Sequence, residues 1–349
     1  MKLKIGLIFG GQSPEHEVSI VSARSIASAL EKLGHHVSLL FIDKRGEWIH
    51  IDAMEEPFEG EVITQELIPF LKELDLAFPI VHGRLGEDGA LQGFLKMFNI
   101  PFVGADVLSS AVCMDKIISK RLLSNAHLLV APYLTLSKVD PFDHDAIEEA
   151  LGYPCFVKPA NTGSSIGVSK VKNREALEEA IDLAFEYDTK VIIEAMIDGD
   201  EVECSVLGNE VCEAALPARL KATHEFYDYD AKYIDPNGAI FEVPVAYDDK
   251  LITAIQETAK KAYTALECEG FARVDLFVAP DGKIYVNEIN TLPGFTPISL
   301  YPQMWEATGL SYTKLVQKLI DLALDKHEKR KALLVDYVVL TKAEGKTAG

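Results

Sequence analysis

The sequence predicts an α/β protein: an N-terminal parallel α/β domain, then a region that becomes α+β in its later part. Three observations predict it. The chain opens with an apolar run, a glycine turn, an amphipathic helix and a second apolar run, the order of a βαβ unit. Strand-like and helix-like stretches then alternate along the rest. Near residue 281 an Asp-Gly pair separates two apolar runs, which marks an antiparallel hairpin.

Lys4–Phe9 (KIGLIF) reads as a buried strand and Gly10-Gly11-Gln12-Ser13-Pro14 as a turn. Ile20, Ala23, Ala27, Leu30 and Leu33 recur at helical spacing, and the helix stops at Gly34. Val37–Ile42 is a second strand. Leu74–Val81 is a third, followed by the loop His82–Gly89 and a short helix carrying Leu91, Leu95 and Phe98. From about Pro101 the texture changes. Asp115–Ser124 is helical, His127–Pro132 connects, and Cys155–Pro159 is a strand entering the loop Asn161–Gly167. Helix Glu175–Phe185 and strands Val191–Ala195, Glu201–Leu207 and Val211–Leu216 follow. Arg219–Gly238 is irregular and long for a compact domain, so it is expected to be functional. Helix Asp248–Leu266, the hairpin around Asp281-Gly282 and a closing helix, Tyr312–Leu324, complete the order. Units are expected at 1–104, 105–198, 199–326 and 327–349, with a frayed tail from Lys342.

At 349 residues, 48% hydrophobic and 25% charged, the chain has the composition of a globular protein of two or three domains. Lys plus Arg number 34 against 54 Asp plus Glu, a net charge of −20. That field repels nucleic acid and anionic membrane, without excluding small anions held by cations focused in a cleft. The five cysteines stand singly, with no CxxC and no metal-ligand spacing. Cys155 and Cys204 lie in apolar runs and read as buried thiols. No basic segment with an apolar h-region opens the chain, and no stretch approaches ~18 apolar residues. A cytoplasmic location is expected.

The run Arg273–Asn290 carries the most specific chemistry. With Asp281 and Gly282 as a two-residue type I′ loop, Asp275 faces Glu288 and Arg273 faces Asn290, all on one side of the ribbon. The rest of that side is then apolar (Phe277, Ile284, Val286). Two opposed carboxylates would repel, and a hard divalent cation resolves the conflict, because Mg²⁺ takes carboxylate and amide oxygens and keeps positions for phosphate. Upstream, Lys158–Val168 offers glycines, small hydroxyls and a cation, which suit a phosphate cradle, although no Walker A motif opens a helix there. A cradle and a metal hairpin together meet the needs of phosphoryl transfer.

These segments, in this order, resemble the ATP-grasp superfamily and, within it, the D-alanine–D-alanine ligase family of bacterial cell-wall synthesis. The resemblance rests on Gly10-Gly11-Gln-Ser-Pro-Glu15-His-Glu-Val-Ser19, His82-Gly-Arg-Leu-Gly-Glu-Asp-Gly89 and Met114-Asp-Lys116. It continues through Val157-Lys-Pro159 with Gly163-Ser-Ser165, Phe226–Tyr233, Arg273-Val-Asp275 and Asn287–Gly294. Matching motifs run from about residue 4 to 324. A two-subdomain ATP-grasp fold after the first domain is therefore implied, with ATP as co-substrate, D-alanine as substrate and a homodimer as the assembly.

The resemblance also implies roles. Asp275, Glu288 and Asn290 would hold two Mg²⁺ ions, with Mn²⁺ as a substitute. Lys116, Lys158 and Lys232 would contact the ATP phosphates, Glu201 the ribose hydroxyls and Glu194–Ile197 the adenine edge, with Asn287 also at the nucleotide. Arg273 and the Gly294 N–H would stabilise a tetrahedral oxyanion. Glu15, which alone would read as a helix N-terminal carboxylate, would bind the first D-alanine's ammonium and join Ser164 and Tyr233 in a triad that closes the site. His82 would lie near the first substrate, and Ser299 with Leu300 would hold the second D-alanine's carboxylate. Arg219–Gly238 becomes a lid that keeps water from an acyl phosphate. Tyr233 favours an amine nucleophile over D-lactate; the alternatives are a D-alanine–D-lactate or D-alanine–D-serine ligase and an ATP-binding regulator without chemistry, against which the intact set Arg273, Asp275, Glu288, Asn290 and Lys232 counts. Asp325–Gly349, with the basic run Lys326–Lys331 and Leu333–Leu340, extends past the family pattern as a helix extension, an edge strand or an oligomer contact.

Overall fold

The computed structural model describes residues 2–139, 143–222 and 239–333. Its first unit contains β1 (Lys4–Gly10), α1 (His16–Lys32), β2 (His36–Ile42), β3 (Trp48–Ile51), β4 (Gly60–Val62), α2 (Leu67–Lys72), β5 (Leu76–Pro79) and α3 (Ala90–Met97). The sheet runs β4-β3-β2-β1-β5. β2 and β5 flank β1 in parallel, as the opening βαβ pattern predicts, and β1 is buried on both faces. The sheet is nevertheless mixed. β3 and β4 add antiparallel strands on the outer side, after a turn in which the Gly46 N–H donates to the Asp43 carbonyl. β3 is only four residues long, and β4 is three residues and exposed, so the sequence pattern passes over them.

The second unit begins with α4 (Val107–Met114) and α5 (Lys116–Asn125). The single helix expected over Asp115–Ser124 is thus the second of two. Asp115 is extended and ends the first; its carboxylate accepts from the N–H groups of Ile117 and Ile118 and caps the second. β6 (Tyr133–Ser137), α6 (His144–Leu151), β7 (Cys155–Pro159), β8 (Ser169–Val171), α7 (Glu175–Tyr187) and β9 (Lys190–Ala195) follow. The strands form an antiparallel sheet ordered β6-β9-β7-β8. Ile147 of α6 and Leu177, Ala180, Ile181 and Ala184 of α7 pack on Cys155, Val157, Val191 and Ile193.

The third unit holds β10 (Asp200–Gly208), β11 (Cys212–Ala214), β12 (Ala218–Ala222), β13 (Ala239–Glu242), α8 (Asp249–Ala265), β14 (Gly270–Val278), β15 (Ile284–Asn290), α9 (Leu300–Ala307) and α10 (Tyr312–Lys331). Its sheet runs β13-β12-β10-β14-β15, with β11 beside β10. α8 covers one face through Ile255, Ala259 and Ala262. The other face merges with the first unit: Phe271, Tyr301, Trp305, Leu315 and Leu319 share one core with Phe9, Ile26 and Leu30. The expected irregular stretch therefore opens as a strand over 219–222; its remainder, with Lys232 and Tyr233, lies outside the described residues. Cys155 and Cys204 are buried as expected, and the cysteines are free thiols. Among the described residues no helix is long and apolar enough to cross a membrane.

The closing helix runs on to Lys331, so the whole basic run Lys326–Lys331 is a helix extension; 334–349 lie outside the described residues. Lys326, 5% exposed, donates to the Gly104 carbonyl and stands 4.7 Å over the Phe102 ring. Arg330 pairs with Asp106 at 2.9 Å. The last helix is thereby fastened to the end of the first unit. Burial pushes the Lys326 ammonium down to about 8, against Glu269 and Asp106, which raise it, and with Arg330 and Lys96, which lower it. Between about 8 and the ordinary 10.5 the unfolded chain binds more protons at this site, so its contribution to stability rises with pH. Urea unfolding at pH 7.5 and 9.5 should show wild type gaining on Lys326→Met, with a slope of at most about 1.4 kcal/mol per pH unit. A constant difference would contradict the burial argument.

Candidate active site

The β14–β15 hairpin differs from expectation at its tip and agrees with it at the chemistry. The loop has three residues, Pro280-Asp281-Gly282. The Gly282 N–H donates to the Ala279 carbonyl at 2.8 Å and the Ala279 N–H to the Lys283 carbonyl at 2.9 Å. Proline presets the turn and Gly282 takes the left-handed conformation, φ +82°. This shifts the pairing by one residue: Leu276 lies opposite Val286 and Phe277 opposite Tyr285. A bulge at Asp275/Leu276, with Asn287 as the extra residue, restores the register. Asp275 is opposite Glu288 and Arg273 opposite Asn290, as predicted. The shift corrects one expectation. Ile284 and Val286 do not share the carboxylate face but pack with Val274 and Leu276 in the core beneath it.

On that face the charges satisfy one another. Arg273 donates to both oxygens of Asp275, each at 2.7 Å, and Asn290 Nδ2 donates to Asp275 Oδ2 at 3.0 Å. Glu203, opposite Asp275 on β10, brings Oε2 to 3.0 Å from Arg273 Nε. Burial acts to lower the Arg273 pKa, but Asp275 and Glu203 outweigh it and keep the guanidinium firmly charged. Glu288 Oε2 is 3.3 Å from Lys116 Nζ, which also donates to the Thr162 carbonyl at 2.8 Å. Among the described residues no group of three His, Cys, Asp or Glu side chains could hold a metal. Asp275, Glu288 and Asn290 supply instead two carboxylates and an amide oxygen. This hard-oxygen set fits a divalent cation that keeps open positions for phosphate.

A second cluster lies behind the first. Glu194 on β9 is 3% exposed. Lys158, two residues along β7 from its partner Phe156, donates to Glu194 Oε2 at 2.7 Å. Lys120 on α5, 1% exposed, places Nζ 3.0 Å from Glu194 Oε1 and donates to the Asn287 carbonyl at 3.2 Å. Burial acts to raise the Glu194 carboxyl, but Lys120 and Lys158 override it and hold it at about 2. Burial drives Lys120 below the usual lysine range; the Lys158 ammonium, also opposed by burial, is kept above it by Glu194, Glu288 and Glu201.

The third group spans the first two units. Ser164 Oγ donates to Glu15 Oε1 at 2.6 Å. Glu15 immediately precedes α1 and makes no side-chain hydrogen bond to the helix's first N–H groups. Ser164 and Ser165 hold φ of +52° and +57°, turning the loop toward Glu15. A Cβ on Gly83 would meet Glu15 Oε2 at 2.7 Å, so glycine there permits the close approach. Buried His82 joins Leu292 O through Nδ1 at 2.9 Å and Ser22 Oγ through Nε2 at 3.1 Å, and the Phe295 N–H donates to the same Ser22 Oγ. Burial would lower the His82 pKa, but Glu87, 3.6 Å away, and Glu15 raise it overall. Thus the loops holding His82 and Gly294 are tied together beside Glu15. Ser299 Oγ accepts from the Thr296 N–H at 3.0 Å, and a Cβ on Gly294 would lie 3.1 Å from it. Leu300 starts α9, where main-chain N–H groups point out of the helix.

Of the predicted residues, Arg273, Asp275, Glu288, Asn290 and Lys116 form one linked group and Glu194 with Lys158 a second. Lys120 joins the two through Asn287. Glu201 shares the face of Glu203 on β10, opposite Phe277. Lys120 and Glu203 were not foreseen. Lys120 lies one helical turn beyond Lys116, and Glu203 continues the alternation of Glu201 and Ser205 against Val202, Cys204 and Val206.

Two family descriptions match the chain: "D-ala D-ala ligase N-terminus" over residues 4–105 and "D-ala D-ala ligase C-terminus" over 122–321. A protein of Chromobacterium violaceum named D-alanine–D-alanine ligase A is 49% identical, over 95% of this chain and 98% of that protein. The VanG D-Ala:D-Ser ligase of Enterococcus faecalis superposes with a TM-score of 0.82 at 38% identity, covering 93% of this chain and all of that one. The Bacillus anthracis D-alanine–D-alanine ligase complexed with ATP gives 0.77 at 30% identity, covering 94% and 99%.

The Glu194 cluster sets a titration. With a folded value near 2 against the ordinary 4.5, its contribution to stability is full above pH 4.5 and is lost as pH falls toward 2. Carboxyl ¹³C shifts of labelled glutamate should show Glu194 still ionised at pH 4. A midpoint near 4.5 would mean that the two lysines do not hold it.

Proposed function

The chain belongs to the D-alanine–D-alanine ligase family, and from that premise we propose that it couples ATP cleavage to the joining of two D-alanines for peptidoglycan synthesis. The fold is an α/β domain followed by an ATP-grasp unit. Peptide-bond formation in water is uphill, so the carboxylate of one D-alanine first takes the γ-phosphoryl group of ATP and releases ADP. The amine of the second attacks the resulting D-alanyl phosphate, phosphate leaves and the amine loses a proton.

The chain's groups divide this work. Lys116, Lys158 and Lys232 bind the phosphates; Glu201 takes the ribose hydroxyls, the Glu194–Ile197 edge the adenine, and Asn287 lies beside the nucleotide. Asp275, Glu288 and Asn290 would hold two Mg²⁺, or Mn²⁺, which when bound neutralise charge on the transferring and leaving oxygens. Arg273 and the Gly294 N–H bind the oxyanion of the addition step. Glu15 takes the first substrate's ammonium, with His82 nearby; Ser299 and Leu300 hold the second substrate's carboxylate. Glu15, Ser164 and Tyr233 close the site between units, and the segment Arg219–Gly238 excludes water from the acyl phosphate. A homodimer in the cytoplasm is the proposed state; the unpaired thiols suit a reducing compartment. The observation that carries this reading is the hairpin face, where Asp275 and Glu288 stand opposed in register beside Arg273, Asn290 and Lys116.

Purified protein with MgATP and D-alanine should release phosphate and give a product with the mass of Ala-Ala. Release only when D-serine or D-lactate is added would move the second-substrate assignment toward the alternative ligases. No release with any of these would overturn the reading. Asp275→Asn and Glu288→Gln should each lower kcat by about 100-fold or more with the unfolding temperature preserved. Near-normal turnover at saturating Mg²⁺ would remove the metal assignment.

A further inference from the structure

Lys120 has no place in the roles assigned above, yet among the described residues it is the most deeply buried charge in the site. We infer that Lys120 is a positioning residue that stays on Glu194 as its counter-ion, so that Lys158 can leave that carboxylate for an ATP phosphate. The inference rests on the proposed role of Lys158 at the phosphates.

Glu194 carries one negative charge and faces two ammonium groups, at 2.7 and 3.0 Å. The two lysines differ in what else they can do. The Lys158 side chain is 14% exposed and lies on a strand that leads into the Asn161–Gly167 loop, so its end can turn into the cleft. The Lys120 side chain is 1% exposed and is also bonded to the Asn287 carbonyl, on the hairpin next to Glu288. It cannot follow a ligand. If Lys158 were the only cation at Glu194, its transfer to phosphate would strand a buried carboxylate, which is strongly unfavourable. With Lys120 in place the carboxylate stays paired and Lys158 exchanges one anion for another. Lys120 touches neither phosphate nor reacting atoms; it acts through Glu194 and through the bulge carbonyl that adjoins the metal-binding face.

The test uses the full-length enzyme and Lys120→Met, Lys120→Arg and Lys158→Met, with steady-state kinetics and calorimetry of MgADP binding. For Lys120→Met, the ATP KM and MgADP Kd should rise on the order of tenfold or more, with kcat at saturating ATP within about threefold and the D-alanine KM unchanged. Lys120→Arg should recover most of the loss. Unchanged nucleotide binding in Lys120→Met, alongside weakened binding in Lys158→Met, would overturn the role of Lys120 alone. Unchanged binding in Lys158→Met would overturn the phosphate reading on which it rests. If Lys120→Met does not fold, Lys120→Met/Glu194→Gln removes both charges and frees Lys158; it should bind MgADP more tightly than Lys158→Met. Equal weakness of the two would contradict the inference.

Discussion

Glu194 has almost no contact with water, and a carboxylate so placed has to keep a cation beside it. Much of the site follows from that requirement. The cations come from separate elements, Lys158 from a strand of the central sheet and Lys120 from the helix before it. Lys120 then reaches the main chain of the third unit at Asn287. One buried charge therefore ties the central sheet, its preceding helix and the hairpin into a fixed relation. The same logic recurs on the hairpin face, where Arg273 is shared by Asp275 and Glu203, and Glu288 is met by Lys116. The charges of the site are already neutralised by one another. On the proposed function, a nucleotide would exchange partners within a preorganised set, at little cost in reorganisation.

The remaining architecture sets where these groups meet. Parallel strands deliver Glu15 and His82 at the carboxyl ends of β1 and β5, where α/β sheets place their ligand-binding groups. Ser22 and the Leu292 carbonyl clasp His82, and through it the loop that carries Gly294. The last helix packs back on the first, and Lys326 and Arg330 fasten it to the end of the first unit. The first and third units are thereby one body at their core. The central unit reaches the first across the Glu15–Ser164 contact. Glycine at Gly83 matters there because a side chain would occupy the space of the Glu15 carboxylate.

Much of this was legible in the sequence because it follows from periodicity. The buried strand Lys4–Phe9, the amphipathic helix after it and the opposition of Asp275 to Glu288 could be read from residue order. The last succeeded by two offsets that cancel. Pro280 at the turn makes the loop one residue longer than Asp-Gly alone suggests, and the bulge at Asn287 takes the residue back. The local pattern cannot show the bulge, so Ile284 and Val286 were assigned to the wrong face. Lys120 was missed because a lysine in a helix ordinarily lies in solvent, and only its tertiary neighbours reveal otherwise. Glu203 was hidden by its resemblance to strand-edge charge. The break at Asp115 was legible in principle, since aspartate before a helical run is a capping signal, but the apolar run ahead of it hid the first helix.

The central claim is that the site's charges are paired with one another until a ligand displaces them. A crystal structure of the protein with a non-hydrolysable MgATP analogue tests it most directly. The account predicts Lys158 Nζ on a phosphate oxygen, Lys120 still within hydrogen-bond distance of Glu194, and Asp275 turned from Arg273 toward the metal. Lys158 still on Glu194 and Arg273 still forked on Asp275, with nucleotide bound, would contradict it.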